Sequence, residues 1–179
     1  MKAIRILLLC ALLVPVTMKS RTRVNEYNFF ETYYQYAPTA FVLCSGAFGI
    51  ESRHGFADRA INMAASFLYQ TAVVYPLKWC IKENRPTGSD DNSFPSGHTA
   101  ATFSGAELIR MEYGWAWGGV FYANAVLVGA MRVAHHRHWW WDVAAGAAIG
   151  IASAHVGRIT TDALMLRISP ASLTLTYNF

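Results

Sequence analysis

Four long stretches without Asp, Glu, Lys or Arg constrain the fold of this 179-residue chain more than any other feature. Each approaches the ~20 residues with which an α-helix crosses a bilayer, although the last is short. A fifth stretch, His98–Glu112, is more polar but contains no proline, so it is also predicted to be helical. The sequence therefore predicts an all-α fold, a compact bundle of five or six helices embedded in a membrane. The four stretches are Tyr33–Ile50, Ala60–Leu77, Tyr113–Met131 and Val143–Gly157.

Aromatic residues at the ends of these stretches favour a membrane over the alternative, a soluble bundle with buried helices. Trp79, Trp115 and Trp139–Trp141 lie where Trp and Tyr form belts at membrane surfaces. Small residues such as Gly118 and Gly119 allow close helix packing in either environment. The chain is 54% hydrophobic and 15% charged, against ~25% charged in a typical soluble domain, which excludes a disordered chain.

The charge pattern indicates that the chain binds an anion but not nucleic acid. The formal net charge is +4, and 11 of the 15 cationic residues are arginines, whose planar guanidinium groups suit phosphate and carboxylate. These residues are scattered along the chain and form no basic stripe, so we expect no nucleic-acid partner.

Three regions are predicted along the chain. Residues 1–20 carry Lys2 and Arg5 ahead of an apolar run, which is typical of a signal peptide or of a short N-terminal membrane helix, and both interpretations stay open. Residues 24–168 form the predicted helical domain. Residues 169–179 form a C-terminal tail with alternating apolar and polar residues, and we predict that this tail is disordered or docked on the bundle.

The first cluster of candidate functional residues ends the second uncharged stretch. Lys78 and Arg85 are seven residues apart, nearly two turns of a helix, so both cations are predicted to share one face. Pro86 is then expected to end the helix. Two long cations at a helix end can clamp a phosphate-sized anion, although the same spacing also suits two ordinary cations at a membrane surface.

The second cluster is Pro95-Ser96-Gly97-His98, where the polar loop 86–95 ends and a helix is predicted to begin. Free N–H groups in the first turn of a helix, together with the helix dipole, attract an anion. Ser96 can cap the helix and touch the anion with its hydroxyl, while His98 can donate a proton to a leaving group. A well-capped helix with an exposed histidine explains the tetrapeptide equally well.

The third cluster places Arg132 six residues before His138, and His138 four residues before Asp142. On a helix, His and Asp at i and i+4 face each other, and a carboxylate on one ring nitrogen leaves the other nitrogen free as a nucleophile. The segment also fits a basic loop beside a membrane. A metal site of His135, His136 and His138 is a further alternative, but it lacks a cysteine or a second cluster to complete it.

Together, the three clusters resemble the three-part signature of the type 2 phosphatidic acid phosphatase family. That family shares its site with the bacterial class A acid phosphatases and the vanadium haloperoxidases. The order and the internal spacings match from Lys78 to Asp142. One position departs: the residue before the arginine of the third cluster is usually serine, and here it is Met131. The departure removes one hydroxyl from the implied phosphate cradle and none of its charged groups.

The resemblance implies a role for each residue and an active site at one end of the helical bundle. His138 attacks phosphorus and becomes a phosphohistidine, Asp142 orients it, and His98 protonates the leaving group and then activates water. No metal and no other cofactor is implied, because cationic side chains neutralise the phosphate. The implied phosphate-binding residues are Lys78, Arg85, Ser96, Gly97 and Arg132.

The resemblance also implies a phosphoric ester hydrolase that removes the phosphomonoester or pyrophosphate of a membrane lipid. Candidate substrates are phosphatidic acid, phosphatidylglycerophosphate, undecaprenyl pyrophosphate and lipid A. The expected location is the inner membrane of a bacterial-type cell envelope, with the site facing the periplasm. A periplasmic acid phosphatase for small esters is the alternative. More distant alternatives are a vanadate-dependent haloperoxidase, for which the chain is short, and a catalytically weak protein that binds anionic lipid, as Met131 suggests.

Overall fold

The computed structural model describes residues 33–169 and 172–177, so the predicted signal peptide or membrane helix at 1–20 lies outside the described residues. A short 3₁₀ helix, Ser45–Phe48, follows the first described helix, and two strands follow the last one. The predicted all-α bundle is confirmed. The five α-helices of the described range are α1 (Ala37–Cys44), α2 (Phe56–Ile81), α3 (Gly97–Tyr113), α4 (Trp115–Ala134) and α5 (Trp140–Ala163).

Helix α2 ends earlier than the sequence predicts. Its last residue is Ile81, because Lys82 adopts a left-handed conformation (φ 49°) and its N–H bonds to Lys78 O at 3.2 Å. Such a turn closes a helix and directs the chain away from its axis. Arg85 therefore lies in the loop that follows α2, and it does not share the helix face of Lys78 as the spacing suggests.

Helix α3 packs along both α4 and α5, while α2 packs along α5. Glycines allow the contact between α3 and α5 to be close. A Cβ atom added to Gly146 would lie 2.5 Å from Ser96 O, and one added to Gly150 would lie 2.2 Å from Ala100 O. Because no side chain tolerates such distances, glycine is required at both positions.

The interior of the bundle contains many small and polar side chains, while many large apolar side chains lie outside. Asn62, Ser66 and Gln70 of α2 are buried, whereas Phe67 and Leu68 of the same helix are 58% and 66% exposed. A helix of a soluble bundle turns its apolar face inward. By length and hydropathy, one helix of the described residues, α5, is suited to cross a membrane.

Buried carboxylates with several partners hold the end of the bundle where α3 ends. Glu107 accepts hydrogen bonds from Arg110 (2.6 and 2.7 Å) and from the Tyr122 hydroxyl (2.6 Å). Farther along α3, Glu112 accepts a hydrogen bond from Arg158 of α5 at 2.7 Å. Because removing one partner would leave a buried charge uncompensated, these contacts tie α3 to its two neighbours.

The last described residues form a two-stranded antiparallel hairpin that begins directly after α5. Its strands are β1 (Leu164–Ser169) and β2 (Ser172–Tyr177), with Leu164 opposite Tyr177. A disordered or docked tail is what the sequence predicts for residues 169–179. Within that tail, Ser172–Tyr177 pairs with Leu164–Ser169 at the end of the helical domain.

Candidate active site

The three predicted clusters lie at one end of the bundle, where α2 and α4 end and where α3 and α5 begin. Hydrogen bonds connect the segments that carry them. Ser96 N–H donates to Asp142 O at 3.0 Å, and Arg85 Nη1 donates to Arg137 O at 3.0 Å. The loop between α2 and α3 is therefore bound directly to the chain around the start of α5.

His138 and Asp142 are in contact and buried, with 3% and 0% of their surfaces exposed. His138 Nδ1 lies 3.4 Å from Asp142 Oδ2, which also accepts hydrogen bonds from Trp139 N–H (2.9 Å) and from the Ser93 hydroxyl. The distance of 3.4 Å is long for a hydrogen bond, as is common in sites without substrate. With Nδ1 facing the carboxylate, Nε2 is the ring nitrogen that can attack a substrate.

The surroundings of His138 keep its imidazole neutral. Burial lowers the pKa of His138 most strongly, and the cations Arg132, Arg85 and Lys78 lower it further, against the opposite effect of Asp142. A neutral imidazole retains the lone pair that a nucleophile needs. Burial and positive charge thus favour the reactive form of this side chain at neutral pH.

His138 precedes helix α5 and does not lie on its face, in contrast to the i, i+4 helical pair that the sequence suggests. The helix begins at Trp140, and Asp142 lies in its first turn. The Asp142 carboxylate accepts a hydrogen bond from the N–H of Trp139, the residue before the helix. This is one of the two hydrogen bonds of a capping box. One carboxylate therefore caps the helix and contacts the histidine at the same time.

A tight turn after α4 brings His138 close to Arg132. Arg132 O accepts hydrogen bonds from Arg137 N–H (3.0 Å) and His138 N–H (3.2 Å), and His136 has a left-handed φ of 52°. The Arg132 side chain is buried as well, with 7% of the residue exposed. The turn thus places a guanidinium group next to the imidazole without a long connection.

Lys78 is held by the loop between α2 and α3. Its Nζ donates to Asn92 O at 2.7 Å and lies 3.4 Å from Ser93 O. Burial lowers the pKa of Lys78 to about 8, and the nearby Arg85 adds to the decrease. The ammonium group is therefore charged at neutral pH and loses its proton at a pH that an enzyme assay can reach.

We expect kcat/KM for phosphate release to fall above pH 8, because the value reports the free enzyme and uncharged Lys78 no longer attracts phosphate. Lys78→Arg keeps its charge at every accessible pH, so this variant should lose the alkaline decrease. Parallel pH profiles of the two proteins test the prediction. An alkaline decrease that persists unchanged in the arginine variant would assign it to another group.

Arg85 approaches the site from the loop. Its Nε donates to both carboxylate oxygens of Asp90, at 2.7 and 2.9 Å, and Nη1 donates to Arg137 O. A guanidinium group has five N–H donors, so this anchoring leaves donors for a phosphate oxygen. Asp90 therefore orients Arg85, although the three motifs do not include it.

The second cluster begins α3, but Ser96 differs from the sequence-based expectation. Its side chain is buried, its hydroxyl pairs with Thr99 Oγ1 at 2.9 Å, and its N–H donates to Asp142 O. Ser96 thus fastens α3 to α5 and makes no side-chain cap. The helical N–H groups that begin with Gly97 are the ones that can bind an anion, and half-buried His98 lies in the same turn.

Two further residues outside the motifs also lie at this end of the bundle. The Ser93 hydroxyl donates to Asp142, and the Glu83 carboxylate accepts a hydrogen bond from Trp141 Nε1 at 2.8 Å. The single sequence signal for them is the concentration of polar residues between the end of α2 and the start of α3. Their contacts with α5 depend on the fold.

The three histidines considered as a metal site are not brought together as ligands. His138 faces Asp142, and His136 is exposed. In residues 33–169 and 172–177, no group of three His, Cys, Asp or Glu side chains is placed to hold a metal ion.

The three clusters lie within the range that matches a known protein family. The sequence model of the PAP2 superfamily matches residues 59–165. A lipid A 1-phosphatase from Porphyromonas gingivalis is 33% identical over 132 residues, which cover 72% of this chain and 30% of that protein. The bacitracin transport permease protein BcrC from Bacillus licheniformis is 43% identical over 67 residues, or 36% of this chain and 31% of that protein. The chain thus matches about a third of the length of these relatives.

The fold is also similar to that in a crystal structure of LpxE from Aquifex aeolicus. The TM-score is 0.57 at 23% sequence identity, and the match covers 76% of this chain and 87% of that one. This likeness concerns the fold alone.

Proposed function

The chain belongs to the PAP2 superfamily, and we propose that it is a phosphatase that hydrolyses the phosphomonoester or pyrophosphate of a membrane lipid without a metal ion. One observation carries the proposal: the segments that carry the cations Lys78, Arg85 and Arg132 meet at the buried pair of His138 and Asp142. A phosphate bound among these cations would lie next to a neutral imidazole, which is the arrangement that phosphoryl transfer to histidine needs.

The proposed reaction has two steps. In the first step, His138 Nε2 attacks phosphorus, the bond from phosphorus to the lipid oxygen breaks, and His98 gives a proton to that oxygen. In the second step, His98 takes a proton from water, the water oxygen attacks phosphorus, and the P–N bond breaks to release inorganic phosphate. Asp142 balances the positive charge that His138 carries in the intermediate.

An apolar groove between α1, α2 and α3 supports a lipid substrate. Its volume is about 410 Å³, and Ala101 of its lining lies one helical turn beyond Gly97. Gln70, also in the lining, lies one turn before Val74, whose Cγ1 would lie 3.8 Å from a Cβ atom added to Gly97. A hydrocarbon chain attached to a phosphate at Gly97 can therefore enter this groove. Other lining residues are Leu43, Met63, Phe67 and Leu108.

We also infer that the protein lies in the inner membrane of a bacterial cell envelope, with its site facing the periplasm. The apolar exterior of the bundle supports a membrane, as do Trp79 and Trp140, which are 70% and 67% exposed and lie close in sequence to Lys78 and His138. Both relatives are bacterial proteins, and one is a lipid A 1-phosphatase, which makes lipid A the first substrate to test.

The test measures phosphate release by the purified protein in detergent, with EDTA present. The panel contains lipid A, phosphatidic acid, phosphatidylglycerophosphate, undecaprenyl pyrophosphate and p-nitrophenyl phosphate. We expect a lipid to give a kcat/KM at least about tenfold above that of the small ester, because each buried methylene adds ~0.8 kcal/mol of binding. Long-chain phosphatidic acid should also exceed its dioctanoyl analogue.

Three outcomes would contradict this proposal in different ways. Equal kcat/KM values for the small ester and every lipid would favour a phosphatase for small esters. Absence of release from all substrates would favour a protein that merely binds anionic lipid. Loss of activity in EDTA, restored by zinc or magnesium, would contradict the metal-independent mechanism.

A further inference from the structure

One oxygen of the Asp142 carboxylate is buried without a hydrogen-bond donor. Oδ2 interacts with Ser93, Trp139 and His138, whereas Oδ1 has no partner among the described residues. Asp142 itself is 0% exposed. A buried carboxylate oxygen without a hydrogen-bond donor lowers the stability of the folded protein. A neighbouring side chain that donates a proton to it would remove this cost.

Glu83 is placed to supply that donor. Its backbone O accepts a hydrogen bond from Ser93 N–H at 2.9 Å, and the hydroxyl of the same serine donates to Asp142. Trp141 Nε1, one residue before Asp142, holds Glu83 Oε1 at 2.8 Å. With these two anchors, Glu83 is held next to Ser93 and Trp141, which flank the Asp142 carboxyl in space and in sequence.

We propose that Glu83 is a positioning residue for the nucleophile: its protonated carboxyl group donates a hydrogen bond to Asp142 Oδ1. The two carboxyl groups then share one proton, and the pair carries one negative charge. With both of its oxygens engaged, the Asp142 carboxylate cannot rotate, and Oδ2 stays directed at His138 Nδ1. This inference rests on the proposed function, because it concerns the same nucleophile.

The surroundings favour a proton on Glu83. Burial and the neighbouring Asp142 raise the pKa of Glu83, while the hydrogen bond from Trp141 acts in the opposite direction. The single negative charge of the pair is balanced by cations from the surrounding elements. The charged and titratable groups around it are Lys78 on α2, Arg85 and Asp90 in the following loop, Arg132 on α4 and His138 before α5.

The test compares Glu83→Gln with Glu83→Leu. The glutamine amide can donate to Asp142 Oδ1 and accept from Trp141, whereas leucine can do neither. We expect kcat to stay within about threefold of the parent in Glu83→Gln and to fall roughly tenfold or more in Glu83→Leu. KM should change little in both variants, because Glu83 is not part of the proposed phosphate site.

The pH profile of kcat distinguishes a proton donor from a residue that only supports the fold, because a purely structural Glu83 would leave this profile unchanged. When Glu83 ionises, it stops donating and repels Asp142, so the parent rate should fall in a step above the usual pKa range of glutamate. Glu83→Gln should lack this step in kcat, while its kcat/KM should keep the decrease that belongs to Lys78. Glu51→Gln, which alters an exposed carboxylate before α2, is the matched control and should keep the parent profile.

An unchanged kcat in Glu83→Leu would overturn the inference, and so would a glutamine variant as slow as the leucine variant. These comparisons need a parent that releases phosphate from one of the panel substrates. A parent that is inactive on all of them refutes the proposed function itself, whereas an active parent with unaffected variants refutes the Glu83 inference alone.

Discussion

Replacing His138 with alanine is expected to lower phosphate release by about 10⁴-fold or more, because the bond between nitrogen and phosphorus can no longer form. With a substrate labelled in its phosphate, the parent protein should yield an acid-labile phosphoenzyme when the reaction is quenched. His138→Ala should yield none. The measurement is the labelled fraction of protein after rapid mixing, together with the steady-state rate.

His136→Asn is the matched control for this prediction. His136 is an exposed histidine in the same turn, and asparagine tolerates its left-handed backbone. We expect this variant to keep both the phosphoenzyme and the rate of the parent. Phosphoenzyme in His138→Ala, or substantial residual turnover, would refute the covalent mechanism at this residue.

Replacing His98 with alanine is expected to separate two classes of substrate. A lipid alkoxide is a poor leaving group and needs a proton as its bond to phosphorus breaks, and such general acid catalysis contributes roughly 10²–10⁴-fold. A nitrophenolate leaves without that help. His98→Ala should therefore slow phosphoenzyme formation from the lipid by this factor and slow it much less for the nitrophenyl ester, whereas His138→Ala should lose both reactions.

The first-turnover burst is the right measurement for His98, because the same residue is proposed to activate water in the second step. A steady-state rate would combine both steps and hide the difference between substrates. Equal losses of burst rate for the two substrates would show that His98 binds phosphate or supports the helix. The acid role would then belong to another group.

The fold and the family could be predicted because charged clusters and uncharged stretches alternate along the chain. Pro95-Ser96-Gly97-His98 marks the start of α3, which indeed begins at Gly97. Arg132 and His138 are close because a short turn joins α4 to α5. Local spacing carries such information, since it involves neighbours in sequence.

Contacts between distant segments could not be predicted. The spacing of Lys78 and Arg85 suggests one helix face, but the left-handed Lys82 ends α2 between them. Ser96 was expected to meet the anion, but its hydroxyl pairs with Thr99, and its N–H donates to Asp142 O of the distant α5. The contact of Ser93 with Asp142 joins positions 49 residues apart. One sequence contains no record of such a pairing.

The glycine contacts between α3 and α5 fix the reacting groups in place, and they do not involve two of the helices that line the substrate groove. Gly146 and Gly150 leave no space for a side chain, so α3, which carries His98, and α5, which begins just after His138, cannot slide past each other without a collision. Two walls of the apolar groove belong to α1 and α2 and do not take part in this contact. Substitutions there can alter the preferred lipid while the reacting groups stay in register. Proteins with this arrangement can therefore differ in their lipid substrate while their catalytic residues keep the same positions.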